Sequence, residues 1–358
     1  MIRYCFFLFL LPILFSCSNK ETTSAAQRLN EQLKAFQQQG ILFGHQDDLA
    51  YGLGWFGIPG ESDVKRVTGS YPALFGWDLG NIGDANNLDG VPFDSIKTYI
   101  QRAHQLGGIN TISWHARYPK TNTNAWTKTN IDVQSLLPKG ENHQLFLKEL
   151  DLVANFLGGL KDNEGNLIPI IFRPWHEMMG EWFWWGTATC SDQAYKDLFS
   201  FTVDYLRKIK KLDNLLIAFS LDGTVDTRDK MLQRYPGNDV VDIIGLDEYQ
   251  DFTICRLDKV VKKLSIIVDI AKENNKLAAL TETGCDRVEV PNWYTTNLLQ
   301  VLKASEKTSA ISYVMVWRNS DPNHFYVPSV DHKESADFKN FANDKMIFLL
   351  DEYNQIKK

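Results

Sequence analysis

Short apolar runs recur along the chain after residue 40, and most of them are separated by longer stretches in which apolar residues return every three or four positions. Such short runs, bounded by polar or turn residues, are typical of buried strands, whereas the longer spacing is typical of amphipathic helices. Eight runs fit the strand description: Ile41–Gln46, Ala73–Leu79, Ile109–His115, Ile168–Arg173, Asn214–Ser220, Val241–Leu246, Leu277–Thr281 and Ser312–Trp317.

The stretches between these runs predict helices, and one more helix is expected before the first strand. Eight alternations of strand and helix predict one α/β domain over residues 25–358, folded as a single (β/α)8 TIM barrel. The connection after the sixth strand is the least regular. The predicted helices are 25–39, Phe93–Leu106, Asn142–Leu157, Tyr195–Leu212, Leu257–Asn274, Trp293–Ala304 and Phe338–Tyr353, the last of which would close the ring.

The start of the chain has a different pattern. Residues 1–16 combine an early arginine with an apolar run that is typical of an export signal and too short to span a bilayer as a stable helix. The segment ends Leu14-Phe15-Ser16-Cys17, which is similar to a bacterial lipobox. That resemblance implies cleavage before Cys17 and lipid attachment to its thiol. The alternative is an ordinary signal peptide followed by a chance cysteine.

Residues 17–24 are mostly polar and are expected to act as a tether between the lipid and the barrel. We therefore expect an exported protein that touches the membrane only through a lipid anchor at Cys17. Because no dense acidic segment follows Cys17, the sequence favours a location facing the periplasm over one on the cell surface.

Three cysteines follow the tether, namely Cys190, Cys255 and Cys285. In an oxidising compartment an odd number leaves at least one thiol unpaired in a monomer, which is the oligomeric state that we expect. A Cys255–Cys285 disulfide is an open hypothesis. The cysteine spacing matches no zinc pattern, and we expect neither a metal nor a cofactor.

Composition narrows the class of partner. The formal net charge of −6 argues against a surface for nucleic acid or anionic lipid. Aromatic residues make up 12% of the chain, which suits a carbohydrate cleft, although a large core also uses many of them.

The stretch from Ile168 to Gly186 carries the strongest chemical signal. A buried strand is expected to stop at Pro174, and an imidazole (His176) and a carboxylate (Glu177) follow at once. A polar cluster at the carboxyl end of a barrel strand is where this fold places its chemistry. Three tryptophans lie just beyond; Trp182 is a candidate sugar platform, and the other two, Trp184 and Trp185, are equally well explained by packing.

Two glutamates stand out because they follow the fourth and seventh strands, which face each other across a barrel mouth. They are Glu177 and Glu282. Hydrolysis of a glycosidic bond needs one carboxyl group to protonate the leaving oxygen and a second beside the anomeric carbon; a gap of about 5–5.5 Å retains configuration and one of about 6.5–9.5 Å inverts it. The structural alternative is that each glutamate is a salt-bridged barrel residue.

Other strand-end residues suggest supporting roles. Arg173 can hold a carboxylate in its ionised form, and Tyr249 can donate its phenol to the nucleophile. His176 is expected to contact the substrate or orient Glu177, and Trp317 is a second platform candidate. The remaining strand-end acids are interpreted as loop caps or subsite contacts: Asp47, Asp48, Asp78 and Asp222.

With these residues in place, the chain after the tether resembles glycoside hydrolase family 26, whose members are mainly β-mannanases. Arg173-Pro174-Trp175-His176-Glu177, with Gly180 and the run Trp182–Gly186, is similar to the family's acid/base block. Thr281-Glu282-Thr283-Gly284 is similar to its nucleophile block, and lesser family positions match Ser113-Trp114-His115, Asp247-Glu248-Tyr249 and Trp317-Arg318.

The resemblance implies a retaining mechanism with Glu177 as acid/base and Glu282 as nucleophile. It also implies a subsite for the reacting mannose, lined by His115, His176, Trp182, Tyr249, Trp317 and Arg318. Met179 stands where the family block usually has asparagine, so a polar contact near the acid/base is in question.

The expected function is that of an endo-β-1,4-mannanase acting on mannan, glucomannan or galactomannan. Within the same family, release of mannobiose from chain ends, or action on β-glucan or β-1,3-xylan, is the alternative. A non-catalytic glycan-binding lipoprotein is the alternative from a different class.

Overall fold

Strands without hydrophobic–polar alternation pack on both faces, and the computed structural model, which describes residues 23–357, shows this arrangement. Every residue of the eight main strands is buried. The strands are β1 (Ile41–Gln46), β2 (Leu74–Asp78), β3 (Ile109–Trp114), β4 (Ile170–Pro174), β5 (Leu215–Asp222), β6 (Ile243–Glu248), β7 (Leu277–Thr283) and β8 (Tyr313–Val316).

The eight strands close into a ring. Each strand pairs in parallel with the next one along the chain, and β8 pairs in parallel with β1 to complete the barrel. The predicted (β/α)8 fold is therefore confirmed, with strand limits that differ from the predicted ones by at most two residues. Pro174 is the last residue of β4 rather than the residue that follows it, and β6 lies two residues later than expected.

Helices alternate with the strands as predicted, but their limits differ more. The α-helices are α1 (Ala25–Phe36), α2 (Asp63–Thr68), α3 (Phe93–Gln105), α4 (His143–Gly158), α5 (Asp192–Asp204), α6 (Arg228–Leu232), α7 (Gln250–Thr253), α8 (Leu257–Glu273), α9 (Leu299–Leu302), α10 (Ser335–Ala342) and α11 (Leu350–Ile356). Single π-helical turns extend α5 and precede α9, at Tyr205–Ile209 and Trp293–Leu298.

Two parts of the chain differ from the prediction in kind. The continuous helix expected over Phe338–Tyr353 is wrong: a two-residue strand, Ile347–Phe348, separates α10 from α11 and pairs with the start of β1. Backbone hydrogen bonds to the edge of β1 stabilise this short strand more than the helical spacing of its apolar residues would stabilise a continuous helix. The sequence analysis also missed a hairpin between β1 and β2, formed by Tyr51–Gly52 and Trp55–Phe56, and the helix α2 that follows it.

Helix α1 covers the amino-terminal end of the barrel. A Ser24 capping box starts it, and its buried face consists of Ala26, Leu29, Leu33 and Phe36. These side chains share one apolar cluster with barrel residues such as Leu42 and Met315. With that end covered, the carboxyl ends of the strands form the accessible face.

The predicted signal peptide and Cys17 lie outside the described residues. Between residues 23 and 357, no helix is long and apolar enough to cross a membrane. The hypothesis of a Cys255–Cys285 disulfide is wrong: both thiols are free, as is that of Cys190. Cys255 is exposed at the end of α7, whereas Cys285 is buried after β7.

The long loop between β4 and α5 is anchored by a buried cation. Arg234, after α6, is 1% exposed and donates to the backbone carbonyls of Met178 (3.0 Å), Trp185 (3.1 Å) and Cys190. Its Nε also donates to Asp192 at 2.8 Å, at the start of α5. One side chain therefore joins both ends of the loop that carries Glu177.

We predict that Arg234→Met lowers the free energy of unfolding by at least about 3 kcal/mol, because each buried carbonyl left without a donor costs about 1–3 kcal/mol. Urea denaturation measures the change. Arg228→Met is the matched control: Arg228 pairs with Glu273 on the surface, and such pairs contribute about 1 kcal/mol or less. Equal losses in the two variants would contradict the role of Arg234.

Candidate active site

A buried guanidinium lies at the carboxyl end of the barrel. Arg173 in β4 is 3% exposed, and its Nη1 donates to Asp247 Oδ2 in β6 at 2.7 Å. Its Nη2 donates to Glu282 Oε2 in β7. Burial alone would lower the pKa of Arg173, but the charges of Asp247 and Glu282 raise it above its ordinary value. A permanent cation therefore joins three strands.

Glu282 receives a second hydrogen bond on its other oxygen. The phenol of Tyr249, directly after β6, donates to Oε1 at 2.7 Å. Burial and the neighbouring Glu282 charge raise the pKa of Tyr249 well above its ordinary value, so the phenol keeps its proton for this bond. Two donors thus fix both oxygens of a carboxylate that is only 6% exposed.

Asp247 completes the anchoring of Arg173. Its Oδ1 accepts hydrogen bonds from Ser220 at 2.9 Å and Thr281 at 2.7 Å. Burial raises the pKa of Asp247 to about 7; the charge of Glu282 contributes to the rise, and Arg173 opposes it. In the sequence, Asp247 stands out only as part of a matching motif, because an aspartate at a strand end gives no sign of its partner.

Glu177 lies in a different environment from Glu282. It follows β4 in a left-handed conformation, with φ of 55°, and Trp175 has φ of 53°. Each such non-glycine residue costs about 1–3 kcal/mol, and strain of this kind is concentrated at functional sites. The Glu177 amide donates to the Ser220 carbonyl at 2.9 Å, which holds the turn against β5.

The carboxyl of Glu177 has one side-chain donor, the indole of Trp182, at 2.6 Å from Oε2. Burial raises the pKa of Glu177 well above its ordinary value, and the charges of Glu282, Asp247 and Asp222 raise it further. Ser220 links the segments that carry the two glutamates, because its carbonyl accepts the Glu177 amide and its hydroxyl contacts Thr281, the residue before Glu282. The electrostatic environment favours a proton on Glu177.

Two aspartates, whose role the sequence left open, hold other site residues in position. Asp222, at the end of β5, accepts the backbone amides of Met179 (2.9 Å) and Gly180 (2.8 Å), so it caps the turn after Glu177. Met179 thus contributes its amide to this turn. Asp78, at the end of β2, accepts from His115 Nδ1 at 2.7 Å.

The two histidines meet edge to face, with ring centroids 4.7 Å apart. For His115, burial lowers the pKa, but the charge and hydrogen bond of Asp78 outweigh it and raise the pKa. For His176, burial, Arg173 and His115 all lower the pKa, well below its ordinary value. His176 is therefore a neutral imidazole at neutral pH, and its buried Nδ1 has no partner within residues 23–357.

Aromatic rings border the histidines. Trp317, half-buried, has its ring centroid 6.3 Å from that of His115. Trp126, which the sequence analysis missed, stacks on His115 at 5.2 Å and is 47% exposed. It lies in a polar loop without periodicity, so its only signal was an isolated tryptophan. Trp184 and Trp185 are fully buried and serve packing.

Arg318 lies at one edge of this site and is paired with groups on the β1 and β2 loops. Its guanidinium contacts Asp89 Oδ1 at 3.1 Å and the Tyr51 phenol at 3.3 Å. Tyr51 in turn donates to the buried Asp47 at 2.8 Å. Neither Tyr51 nor Asp89 was singled out from the sequence. Asp48 pairs instead with His45, at 2.7 Å.

The structure thus brings the predicted site residues to one end of the barrel. They form three groups, and the members of each group contact one another. Arg173, Tyr249 and Glu282 form the first, Glu177 and Trp182 the second, and the two histidines with Trp317 the third; Arg318 lies beside them. Within residues 23–357, no group of three or more His, Cys, Asp or Glu side chains is arranged to hold a metal ion.

Two curated sequence relatives are both mannan endo-1,4-β-mannosidases. A mannan endo-1,4-β-mannosidase from Bifidobacterium adolescentis is 33% identical over 352 residues, which cover 91% of this chain and 34% of that protein. Another, from Bacillus subtilis strain 168, is 31% identical over 201 residues, covering 53% of this chain and 54% of that protein. The chain therefore spans about a third to a half of the length of these curated relatives.

Solved structures match the fold along almost the whole chain. A family 26 β-mannanase from Bacteroides ovatus is 41% identical with a TM-score of 0.88, covering 92% of this chain and 96% of that one. A modular endo-β-1,4-mannanase from Cellulomonas fimi is 34% identical with a TM-score of 0.84, covering 92% and 76%. Since the sequence model of glycosyl hydrolase family 26 matches residues 18–338, the chain belongs to that family.

Proposed function

We propose that the chain is a retaining endo-β-1,4-mannanase that hydrolyses mannan, glucomannan or galactomannan. The observation that carries the proposal is the pair of glutamates in opposite electrostatic environments within one site. Glu282 has a cation and a phenol on its two oxygens, whereas Glu177 has a raised pKa and one indole donor. A double displacement needs this difference, because one carboxyl must give a proton while the other attacks.

In the first step, a Glu282 oxygen bonds to the anomeric carbon of the bound mannose unit. The bond from that carbon to the linking oxygen breaks, and the Glu177 proton moves to the oxygen that leaves. In the second step, water gives a proton to Glu177 and its oxygen bonds to the anomeric carbon. The bond to Glu282 then breaks, and the product has the configuration of the substrate.

Other residues of the site bind and orient. Arg173 and Tyr249 hold the two oxygens of Glu282 in place for attack on the anomeric carbon. The reacting mannose is expected to contact the two histidines and the aromatic rings, with polar edges for its hydroxyls and flat faces for its C–H groups. The residues assigned to this subsite are His115, His176, Trp182, Tyr249, Trp317 and Arg318.

We predict that Glu177→Ala and Glu282→Ala each reduce kcat on galactomannan by at least about 100-fold, because general acid–base and nucleophilic groups contribute about 10²–10⁴-fold. Reducing-sugar release measures the rate. Glu181→Ala is the matched control, since this glutamate lies four residues after Glu177 with an exposed side chain; it should keep wild-type activity.

Added azide distinguishes the acid/base, Glu177, from the nucleophile, Glu282. In the Glu282 variant, azide can attack the face that the carboxylate used, which gives a mannosyl azide of inverted configuration. In the Glu177 variant, azide attacks the mannosyl–enzyme and the configuration is retained. Substantial mannan hydrolysis by both alanine variants, or inversion by the wild type in proton NMR, would defeat the proposal.

We also predict that Glu177→Gln stabilises the fold at pH 8 and leaves it unchanged near pH 4. The unfolded chain loses the Glu177 proton at about pH 4.3, whereas burial holds the folded pKa higher. Folding therefore takes up a proton between these values, and stability falls as pH rises through that window. Glutamine does not titrate, so the variant does not lose stability over this pH range. Thermal unfolding at both pH values measures the difference in stability between the variant and the wild type. An equal difference at pH 4 and pH 8 would contradict the prediction.

The proposal extends to location. We propose that residues 1–16 are a lipoprotein signal peptide, that residues 17–24 are a tether and that residues 25–358 are the catalytic domain, anchored by lipid at Cys17 and facing the periplasm. Mass spectrometry of the protein purified from membranes of its native host should show an amino-terminal diacylglyceryl cysteine at position 17. Cys17→Ser should then move it to the soluble fraction; an unmodified thiol at Cys17 would reverse the assignment.

A further inference from the structure

We propose that the hairpin between β1 and β2 builds an additional subsite for a distal mannose unit, with Phe56 as its platform. This inference rests on the proposed function and assigns a binding site beyond the residues that surround Glu177 and Glu282. It would take a neutral hexose of the bound polysaccharide, one or more units away from the bond that is cleaved.

A groove of about 480 Å³ lies between the hairpin and the loop after β8. Tyr51 and Phe56 line it on one side, Ser320 and Asp321 on the other, and Arg318 with Asp89 at one end. Because Arg318 also borders the candidate active site, the groove continues that site outward. A chain polymer that occupies the site can therefore extend along it.

Phe56 is presented to solvent rather than packed. Its side chain is 56% exposed, among the largest exposures of any apolar side chain between residues 23 and 357. Its ring stacks on the ring of Tyr51, with planes 7° apart and centroids separated by 6.1 Å. An exposed flat ring beside polar groups is what the C–H face of a sugar needs, since the sugar covers apolar surface and keeps its hydroxyls hydrated.

The hairpin is held rigidly, which reduces the entropy lost on binding. The buried Asp63 accepts the Leu53 amide at 2.8 Å and the Trp55 indole at 2.7 Å. Asp63 also accepts from Asn319 Nδ2 at 2.8 Å, in the loop after β8. A Cβ at Gly52 would collide with the Asp63 carboxylate, so the close approach requires glycine. Both walls of the groove are therefore tied to one side chain.

The charges in the groove favour a neutral ligand. The cation of Arg318 is paired with Asp89, and Asp321 is exposed on the opposite wall. An acidic sugar would meet no free cation among these groups and would face a carboxylate. Hexose hydroxyls can donate to the exposed Asp321, which matches an unsubstituted mannose or glucose unit.

The test is a length series from mannotriose to mannohexaose with wild type, Phe56→Ala and Phe56→Tyr. We expect Phe56→Ala to lower kcat/KM by about three- to ten-fold on oligosaccharides long enough to reach the groove, a stacking contribution of the usual size. Shorter substrates should be cleaved at the wild-type rate, and Phe56→Tyr should restore the long ones. Ile58→Ala is the matched control, because Ile58 is 47% exposed but does not line the groove.

The outcomes distinguish a failure of the distal subsite from a failure of the mannanase proposal. If Phe56→Ala loses activity equally at every length, or at none, the distal subsite is wrong while the mannanase proposal stands. If Ile58→Ala reproduces the length-dependent loss, the effect belongs to the hairpin's fold and not to Phe56. If the wild type cleaves none of the oligosaccharides, the mannanase proposal fails and the subsite fails with it.

Discussion

The buried cation of Arg173 is the constraint on which the candidate site depends. It lies inside the barrel between two carboxylates from different strands, Asp247 and Glu282, and neither side chain could be buried as an anion without it. The parallel ring makes the contact possible, because residues near the carboxyl ends of β4, β6 and β7 point into the same space. Removal of the guanidinium would leave two buried carboxyl groups side by side without a cation, so the barrel and its chemistry are linked at this point.

The difference between the two glutamates follows from where each lies in the fold. Glu282 belongs to a strand, and its two oxygens are held by Arg173 from β4, across the barrel, and by Tyr249, directly after β6. Glu177 lies one turn beyond its strand, in a left-handed conformation where burial and nearby anions favour the proton. A single side-chain type thus acquires two different environments through its position in the fold and the partners that this position provides. The electrostatic field of Glu282 is part of the reason that Glu177 stays protonated.

The strained turn at Glu177 is stable because buried polar side chains hold it from outside the ring. Asp222 accepts two amides just after the glutamate, and Arg234 fixes the carbonyls farther along the loop. Both belong to the β5–β6 part of the chain. Arg234 acts on Glu177 only through the backbone of the loop, whereas Asp222 holds the turn and also contributes one of the charges that raise the pKa of Glu177.

The sequence was sufficient to predict the fold class and the eight strands to within two residues at either end, and its motifs singled out the two glutamates as candidates for catalysis. These features are local, because a fully apolar run predicts a buried strand and the polar residues directly after it lie at the end of that strand. It missed the hairpin at Tyr51–Phe56, the break between α10 and α11, and the roles of Asp78, Trp126 and Arg234. Asp78 and Arg234 depend on partners 37 and 56 residues away, and the break between α10 and α11 depends on pairing with β1, none of which helical spacing and motifs encode. The hairpin and Trp126 lie in loops without periodicity, where their contacts with Asp63 and His115 give no signal. Which carboxylates pair with Arg173 is visible only in three dimensions, because ring closure, and not spacing along the chain, sets which strand ends meet.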